Sequence, residues 1–245
     1  MDTDKHWKKW GRTDPYYGVV TLPQFEKSSF DRHRDEFFDT GERAVSLVMK
    51  NISRFFGAVP HKRVLDFGCG VGRVLIPLAK VFDEAVGVDV SQDMLREARN
   101  NCASFGISNA QFFQSDDDLS LVTGDFDLVH SHIVLQHIPI KRGLRIADKL
   151  LSKVSDGGFA MLHFSVKRDL SPARRIVYAL KHHIPLAVNI LNLLQGKAWG
   201  LPAMQMNNYP IGEILRTFER RGFTDIIAIP DQHPTAATMH FYARK

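Results

Sequence analysis

The segment from Arg63 to Arg73 carries the residues best suited to holding a polar ligand. An apolar run ends at Asp66, and Gly68, Gly70 and Gly72 follow at alternate positions before an apolar helical pattern begins. Glycine has no Cβ, so a ligand can lie directly against the backbone. The start of the helix adds free N–H groups and a partial positive charge. The pattern therefore predicts a strand, a tight turn and a helix N-terminus that accept a carboxylate- or phosphate-bearing ligand.

A second acid follows the glycines at the distance that nucleotide-binding α/β units use. Residues 84–90 read as an apolar strand that ends in Asp89, about 20 residues beyond the glycine turn. A carboxylate has only acceptors, so it pairs with the two hydroxyls of a ribose in a two-point contact. Ser91 then serves as an N-cap for the next helix. Asp89 therefore predicts a ligand that contains a ribose.

The spacing of the glycines narrows the class of ligand. Dinucleotide sites usually read G-x-G-x-x-G and a Walker A loop continues into Gly-Lys-Ser/Thr, whereas this turn reads D-x-G-x-G-x-G. The segment resembles the first motif of class I S-adenosylmethionine (SAM)-dependent methyltransferases. The resemblance covers residues 60–165 well and residues 209–245 loosely. It implies an enzyme with SAM as its cofactor.

The resemblance also implies roles for the matching residues. The three glycines let the methionine part of SAM approach, Asp66 holds its amino group directly or through water, and Asp89 takes the ribose. Met94 either packs near the adenine or is an ordinary core residue, and Ser131 would lie beside the sulfonium. The candidate cofactor-binding residues are Asp66, Gly68, Gly70, Gly72, Asp89, Met94, Asp116, Asp117 and Ser131.

The acid at the adenine edge has two candidates. Members of the family commonly carry an Asp after the third strand and a Leu four residues later, and here Ser115 stands at that offset from Leu119. Asp116 is therefore the preferred adenine contact and Asp117 the alternative, while a solvated acidic loop is the third interpretation. The run from Asp116 to Asp118 is only suggestive of metal ligands, so we assign no metal.

Two histidines follow the fourth predicted strand, where an open α/β sheet places its ligand crevice. Residues 126–139 resemble a segment of small-molecule methyltransferases that often ends in a Leu-Gln-His-Ile-Pro-like string. Methyl transfer from a sulfonium needs alignment and desolvation, and a hydroxyl or ammonium acceptor must also lose a proton. Histidine is suited to that task near neutral pH. His132 and His137 are the candidate catalytic residues, with His163 behind them; structural roles and catalysis by alignment alone stay open.

The same segment bears on the methyl acceptor. It lacks an Asn/Asp-Pro-Pro-aromatic string, which argues against methylation of adenine or glutamine amino groups. It also lacks cysteine, as does the segment after the fifth strand, which argues against cysteine-nucleophile methylation of pyrimidine carbon five. We therefore expect a small-molecule or glycan-type acceptor, with oxygen as the preferred nucleophile. The alternatives are an RNA methyltransferase, for which no RNA-binding appendage is recognisable, and a SAM-binding non-catalytic subunit.

Composition sets the broad class of the protein. Its 245 residues, 44% of them hydrophobic, predict one domain with additions. The net charge of +5 permits an anionic partner without requiring one. Two cysteines, Cys69 and Cys102, favour a reducing compartment, which we take to be the cytoplasm. The N-terminus has no apolar signal core, and no run approaches about 18 apolar residues, so we expect no membrane-spanning helix.

Alternating strand and helix patterns predict an α/β, Rossmann-like methyltransferase fold. Its sheet should be mostly parallel, with a terminal antiparallel strand and helices on both faces. Strands are predicted near 63–67, 85–89, 110–114, 126–131, 158–165, 223–229 and 239–243, and helices near 31–57, 72–82, 92–105, 139–153 and 210–221.

The chain divides into two regions by pattern. Residues 1–57 form an aromatic N-terminal extension and a helix, with residues 1–30 read as irregular. Residues 58–245 form the methyltransferase domain, which carries a helical insertion at 167–208. The insertion is apolar with basic flanks, and three roles stay open for it: a lid over the acceptor, a homodimer interface or a membrane-surface contact.

Overall fold

A seven-stranded sheet forms the centre of the computed structural model, which describes residues 2–168, 204–233 and 236–245. The strands are β1 (Arg63–Phe67), β2 (Glu84–Asp89), β3 (Ala110–Gln114), β4 (Phe126–Ser131), β5 (Val154–Arg168), β6 (Asp225–His233) and β7 (Ala236–Arg244). Their order in the sheet is β3-β2-β1-β4-β5-β7-β6. β7 runs antiparallel to both of its neighbours, and the other paired strands are parallel.

Helices cover both faces of this sheet. They are α1 (Thr3–Thr13), α2 (Pro15–Val19), α3 (Arg34–Phe56), α4 (Leu75–Val81), α5 (Gln92–Ser104), α6 (Ile140–Ser152) and α7 (Ile211–Arg220), with short 3-10 turns at Pro23–Phe25, Phe30–His33 and Leu135–His137. Successive residues of a strand point to opposite faces. In β1, Val64 packs in a core with residues of α3 and α4, and Leu65 packs in a core with residues of α6 and α7. The predicted fold class is confirmed.

Residues 1–30 are largely helical, so the prediction of an irregular extension is wrong. The side chain of Asp2 accepts a hydrogen bond from the backbone N–H of Lys5 and caps α1. Asp14 caps α2, which begins with Pro15. Both are ordinary N-terminal helix signals, although aromatic and glycine residues surround them. Trp10 is buried in a third, aromatic core, so the segment packs firmly on the domain.

Two boundaries differ from the predicted ones for physical reasons. β5 extends beyond the predicted 158–165 at both ends, because Val154 pairs with Phe126 of β4 and β7 pairs with β5 as far as Arg168. α4 begins at Leu75 and not at residue 72, because Gly72 has a φ of 86°, which no α-helical residue adopts.

Most of the predicted insertion, residues 169–203, lies outside the described residues. Its three candidate roles therefore stay predictions. Among the helices that the structure describes, none has the length and apolar character needed to cross a membrane.

Candidate functional site

A cavity of about 530 Å³ opens where β1, β2 and β4 end, at the carboxyl edge of the sheet. Open α/β sheets bind their ligands at this edge. The candidate residues that line it are Asp66, Gly68, Gly70, Asp89, Met94, Asp116, Asp117, His132 and His137. The structure thus brings together residues that lie far apart in the chain.

The glycine turn keeps its shape through hydrogen bonds to β2. The backbone N–H groups of Gly68 and Cys69 both donate to the carbonyl of Val88, at 2.8 and 3.0 Å. Gly68 and Gly70 have φ values of 75° and 54°, a region that favours glycine. A Cβ on Gly70 would meet only Val19, at 2.8 Å. The backbone of Gly70 therefore faces space that a ligand can fill.

Two predicted cofactor contacts, Gly72 and Ser131, lie behind the cavity wall. A Cβ on Gly72 would lie at an ordinary contact distance of 3.5 Å from Ala98, so its φ of 86°, and not a lack of space, favours glycine there. Ser131 is fully buried, and its hydroxyl donates to the carbonyl of Phe67 at 3.2 Å. Gly72 thus shapes the turn, and Ser131 ties β4 to β1.

Asp89 ends β2 beside the glycine turn. Its Oδ2 accepts a hydrogen bond from the N–H of Gly70 at 3.1 Å, and its Oδ1 accepts from the N–H of Ser91 at 2.8 Å. Burial raises the pKa of Asp89 to about 6; the two backbone bonds oppose this shift, and the carboxylates of Asp66 and Asp4 add to it. Each carboxylate oxygen can accept a further hydrogen bond, so Asp89 can bind the hydroxyl groups of a ligand in the cavity.

The carboxylate of Asp66 belongs to a cluster of buried polar side chains, with His130 and Arg73, that the sequence did not reveal. Its Oδ1 lies 2.7 Å from Nδ1 of His130, and its Oδ2 is buried with no hydrogen-bond partner among the described residues. Arg73 is also buried, and its Nε has no partner in the same described set. Burial lowers the pKa of Arg73 to about 10, against the opposing effect of the Asp66 charge.

His130 and Arg73 were missed because their signals are weak in the sequence. Asp66 and His130 are register partners on β1 and β4, and that register is a tertiary fact. Arg73 directly follows the glycine turn, where it reads as the first residue of an amphipathic helix. Only the structure shows that both side chains are buried against the cavity.

The acidic loop after β3 contributes two carboxylates to the cavity, and they differ in their hydrogen-bond partners. Asp117 binds Arg142 through both of its oxygens, at 2.8 and 3.0 Å from Nε, and also accepts from Arg145 at 2.6 Å. Asp116 accepts hydrogen bonds from its own loop, from the N–H groups of Asp118 and Ser120 at 3.1 and 3.0 Å. Because two guanidinium groups already hold Asp117, Asp116 is the more available carboxylate for an adenine edge.

The two candidate catalytic histidines occupy different settings. Nδ1 of His137 lies 2.6 Å from the carbonyl of Gln205, so its ring is anchored, and Trp7 packs edge-on against it at 5.0 Å. Burial, followed by the nearby His163, lowers the pKa of His132 well below the usual value. His132 is therefore a neutral imidazole near neutral pH. Together with His163 and His240 it forms a group that could hold a metal ion.

Helix α1 closes one side of the cavity. Arg142 of α6 binds both carboxylate oxygens of Asp4, at 2.7 and 2.8 Å, and the hydroxyl of Thr3 donates to the carbonyl of His137 at 2.9 Å. Thr3, Asp4 and Trp7 all line the cavity. The N-terminal segment is therefore part of the site and not a separate appendage.

Comparison with known proteins identifies the central part of the chain. Residues 64–158 match the family model described as "Methyltransferase domain". The 23S rRNA (uracil(1939)-C(5))-methyltransferase RlmD of Shewanella sediminis is 39% identical over 69 residues, which cover 28% of this chain and 16% of that protein. The chain spans only 13–21% of the lengths of these curated relatives.

Two solved structures share the fold over nearly their whole length. Magnesium protoporphyrin IX methyltransferase from Synechocystis PCC 6803 with bound SAM has a TM-score of 0.63 and 18% identity, and the match covers 100% of this chain and 98% of that one. The N-methyltransferase NodS from Bradyrhizobium japonicum WM9, in complex with S-adenosyl-l-homocysteine, has a TM-score of 0.61 and 15% identity, with 100% and 99% covered.

Proposed function

This chain belongs to the class I SAM-dependent methyltransferase family, and from that premise we propose that it transfers a methyl group from SAM to a small-molecule or glycan-type acceptor at oxygen. The observation that carries the proposal is the cavity at the carboxyl edge, which joins the glycine turn, the buried Asp66, the half-buried Asp89 and a histidine-lined wall. SAM is the cofactor of the family, and the two solved neighbours named above were crystallised with SAM or S-adenosyl-l-homocysteine.

The residues of the cavity fit the charges of SAM. The buried Oδ2 of Asp66 lacks a hydrogen-bond partner in the described part of the chain, which suits the ammonium group of the methionine part. Nε of Arg73 is likewise unpartnered there, and a guanidinium suits the adjacent carboxylate. Asp89 would accept hydrogen bonds from the ribose hydroxyls, and the backbone of Gly70, which lines the cavity, would let the methionine part approach.

The acceptor side of the cavity is the wall formed after β4 and β5. Bound SAM supplies a methyl group on a good leaving group, so the chain's own residues chiefly align the acceptor and exclude water. His132 and His163 line this wall. Because burial disfavours the charged form of His132, its imidazole is a hydrogen-bond partner for an acceptor hydroxyl more than a strong base. The anchored ring of His137 shapes the adjacent surface.

The matched segment of an rRNA uracil-C(5) methyltransferase supports an RNA acceptor as the second candidate. A cysteine-nucleophile route to pyrimidine carbon five is disfavoured by the two cysteines in the sequence. Cys69 and Cys102 are both buried. Burial raises the pKa of the Cys69 thiol well above its usual value and that of Cys102 to about 11. Neither is therefore a reactive thiolate.

Incubation with methyl-labelled SAM and fractionated cell extract tests the proposed reaction. We expect label to enter the small-molecule or glycan pool, because α1 closes one side of the cavity and limits the size of the acceptor that can enter. Treatment of the labelled product with acid and base separates ethers from esters and amines. Label that enters only the RNA pool would reject the proposed acceptor, and binding of SAM with no transfer to any pool would favour a non-catalytic subunit.

The affinity for SAM should fall as the pH decreases through about 6, the pKa of Asp89 in the ligand-free protein. Ribose hydroxyls donate to the charged carboxylate, so protonation removes the acceptor, and the loss can reach about tenfold per pH unit. Calorimetry between pH 5 and 8 measures this. Asp89→Asn should bind about 1.5–3 kcal/mol more weakly at pH 8, with no inflection near 6.

Asp89→Asn, which should weaken SAM binding, should make the ligand-free protein more stable. The pKa of Asp89 is higher in the folded state than the ordinary 3.8, so folding favours its protonated form and ionisation costs stability as the pH rises from about 4 to 6. Ligand-free Asp89→Asn should therefore gain stability relative to the wild type over that range. A pH-independent difference in unfolding free energy, or an inflection retained in the variant, would assign the titration to another group.

A further inference from the structure

Three histidine side chains lie in one row across three adjacent strands. His163 of β5 and His240 of β7 are register partners, and their ring centroids are 4.7 Å apart. His132 directly follows Ser131, the last residue of β4, which pairs with Leu162. The ring of His132 is 5.2 Å from each of the other two. The sheet thus gathers three imidazoles around one point at the edge of the cavity.

The separations of the ring nitrogens suit a single ion. One nitrogen from each ring lies within 4.8 Å of the other two. In a tetrahedral zinc site, with Zn–N bonds of about 2.0–2.1 Å, the ligand nitrogens are about 3.3 Å apart. Binding an ion would therefore draw the three nitrogens together by up to about 1.5 Å through side-chain rotation. Two buried rings and one half-buried ring that converge this closely need either hydrogen-bond partners or an ion between them.

Hydrogen bonding among the described residues leaves one ring nitrogen of His132 and one of His240 available for a ligand. Nδ1 of His132 and Nε2 of His240 are buried without a hydrogen-bond partner among the residues that the structure describes. Burial lowers the pKa of both histidines, and the neighbouring His163 adds to the effect on His132. Neutral imidazole is the form that binds metals. Asp231 of β6 lies 3.9 Å from Nε2 of His163 and adds a carboxylate at the rim.

We propose that His132, His163 and His240 bind a divalent transition-metal ion of the zinc type, with Asp231 beside the remaining coordination position. Imidazole ligands select zinc, copper, iron or nickel over magnesium and calcium. His132, His163 and Asp231 also line the cavity, so the ion faces the acceptor side. Its catalytic consequence rests on the proposed function: it would orient an acceptor oxygen and make its hydroxyl easier to deprotonate. Metal binding itself does not depend on that function.

The backbone next to His132 provides a separate signature of the ion. The N–H of Ile133 donates to Nδ1 of His163 at 3.3 Å, and Ile133 has a φ of 60°, a strained conformation for a β-branched residue. Coordination through Nε2 of His163 places its proton on Nδ1 and breaks this hydrogen bond. We therefore expect hydrogen exchange of the Ile133 amide to become faster when metal binds.

Titration of tag-free, chelator-stripped protein with Co²⁺, and competition with Zn²⁺, tests the site. We expect one equivalent of Co²⁺ to bind with a visible spectrum typical of tetrahedral nitrogen and oxygen ligands. His240→Gln should weaken binding by more than about 100-fold, beyond the effect of losing an outer-shell partner. His132→Gln, on the cavity side, should do the same if His240→Gln fails to fold. His61→Gln is the matched control, because His61 is exposed and precedes β1.

The outcomes separate this site from the proposed function. Absence of one-to-one Co²⁺ binding, or binding that both glutamine variants retain, would overturn the metal site. Unchanged exchange of the Ile133 amide would exclude His163 Nε2 as a ligand and with it the three-histidine site. Intact metal binding in a protein that transfers no methyl group would leave the site in place and reject the proposed function. Full methyl transfer by the stripped enzyme would reject the acceptor role of the ion.

Discussion

Gly70→Val should reduce the affinity for SAM by at least about 100-fold while the domain stays folded. The substitution has two effects, of which the first lowers the affinity for SAM and the second lowers stability. The valine side chain would project beside Val19 into the space of the cavity that the methionine part needs. The φ of 54° also becomes strained for a β-branched residue, at a cost of about 1–3 kcal/mol. Calorimetry with SAM and S-adenosylhomocysteine measures the loss of affinity.

Gly106→Val is the matched control for that variant. Gly106 has a φ of 70°, and a Cβ there would meet nothing within 4 Å. The control carries the same kind of backbone strain outside the cavity, so it should lose stability without losing affinity for SAM. Equal SAM affinity in the wild type and in a folded Gly70→Val variant would remove the glycine turn from the cofactor site.

Asp66→Asn should lower the free energy of unfolding by about 1–3 kcal/mol, the usual cost of losing a hydrogen bond to a buried charged group. Asp66 accepts from the His130 ring and is the charge that opposes the effect of burial on Arg73. The amide keeps the size of the side chain and removes the charge, so Arg73 would remain buried without compensation. Urea unfolding at pH 7 without SAM measures the loss.

A double-mutant cycle with Arg73→Met separates the charge effect from other consequences. Methionine fills a similar volume without charge, so Asp66→Asn should cost much less in the Arg73→Met background, with a coupling energy of about 0.5–3 kcal/mol. Both single variants should also bind SAM more weakly, since each removes a proposed contact to the methionine part. Strict additivity of the two losses would show that Asp66 and Arg73 act independently, contrary to this account.

The sequence was most informative where one short segment sets its own conformation. The glycine turn after Asp66, the acid at Asp89 and the alternating strand pattern identified the fold class, which the sheet order confirms. The aromatic composition of residues 1–30 led to an incorrect prediction there, because Asp2 and Asp14 each cap the start of a helix. Ser131 fell in the right segment, yet its side chain points to Phe67 and not to the cavity.

The tertiary structure alone decided which distant side chains meet. His130 lies opposite Asp66, and His132, His163 and His240 form a row, because four strands pair in a particular register. The clamp of Arg142 on Asp4 and Asp117 likewise joins three separate parts of the chain. Turn geometry and periodicity depend on neighbouring residues and can be read locally. Register depends on burying both faces of the whole sheet at once, and a one-residue slip would send each of these side chains to the opposite face.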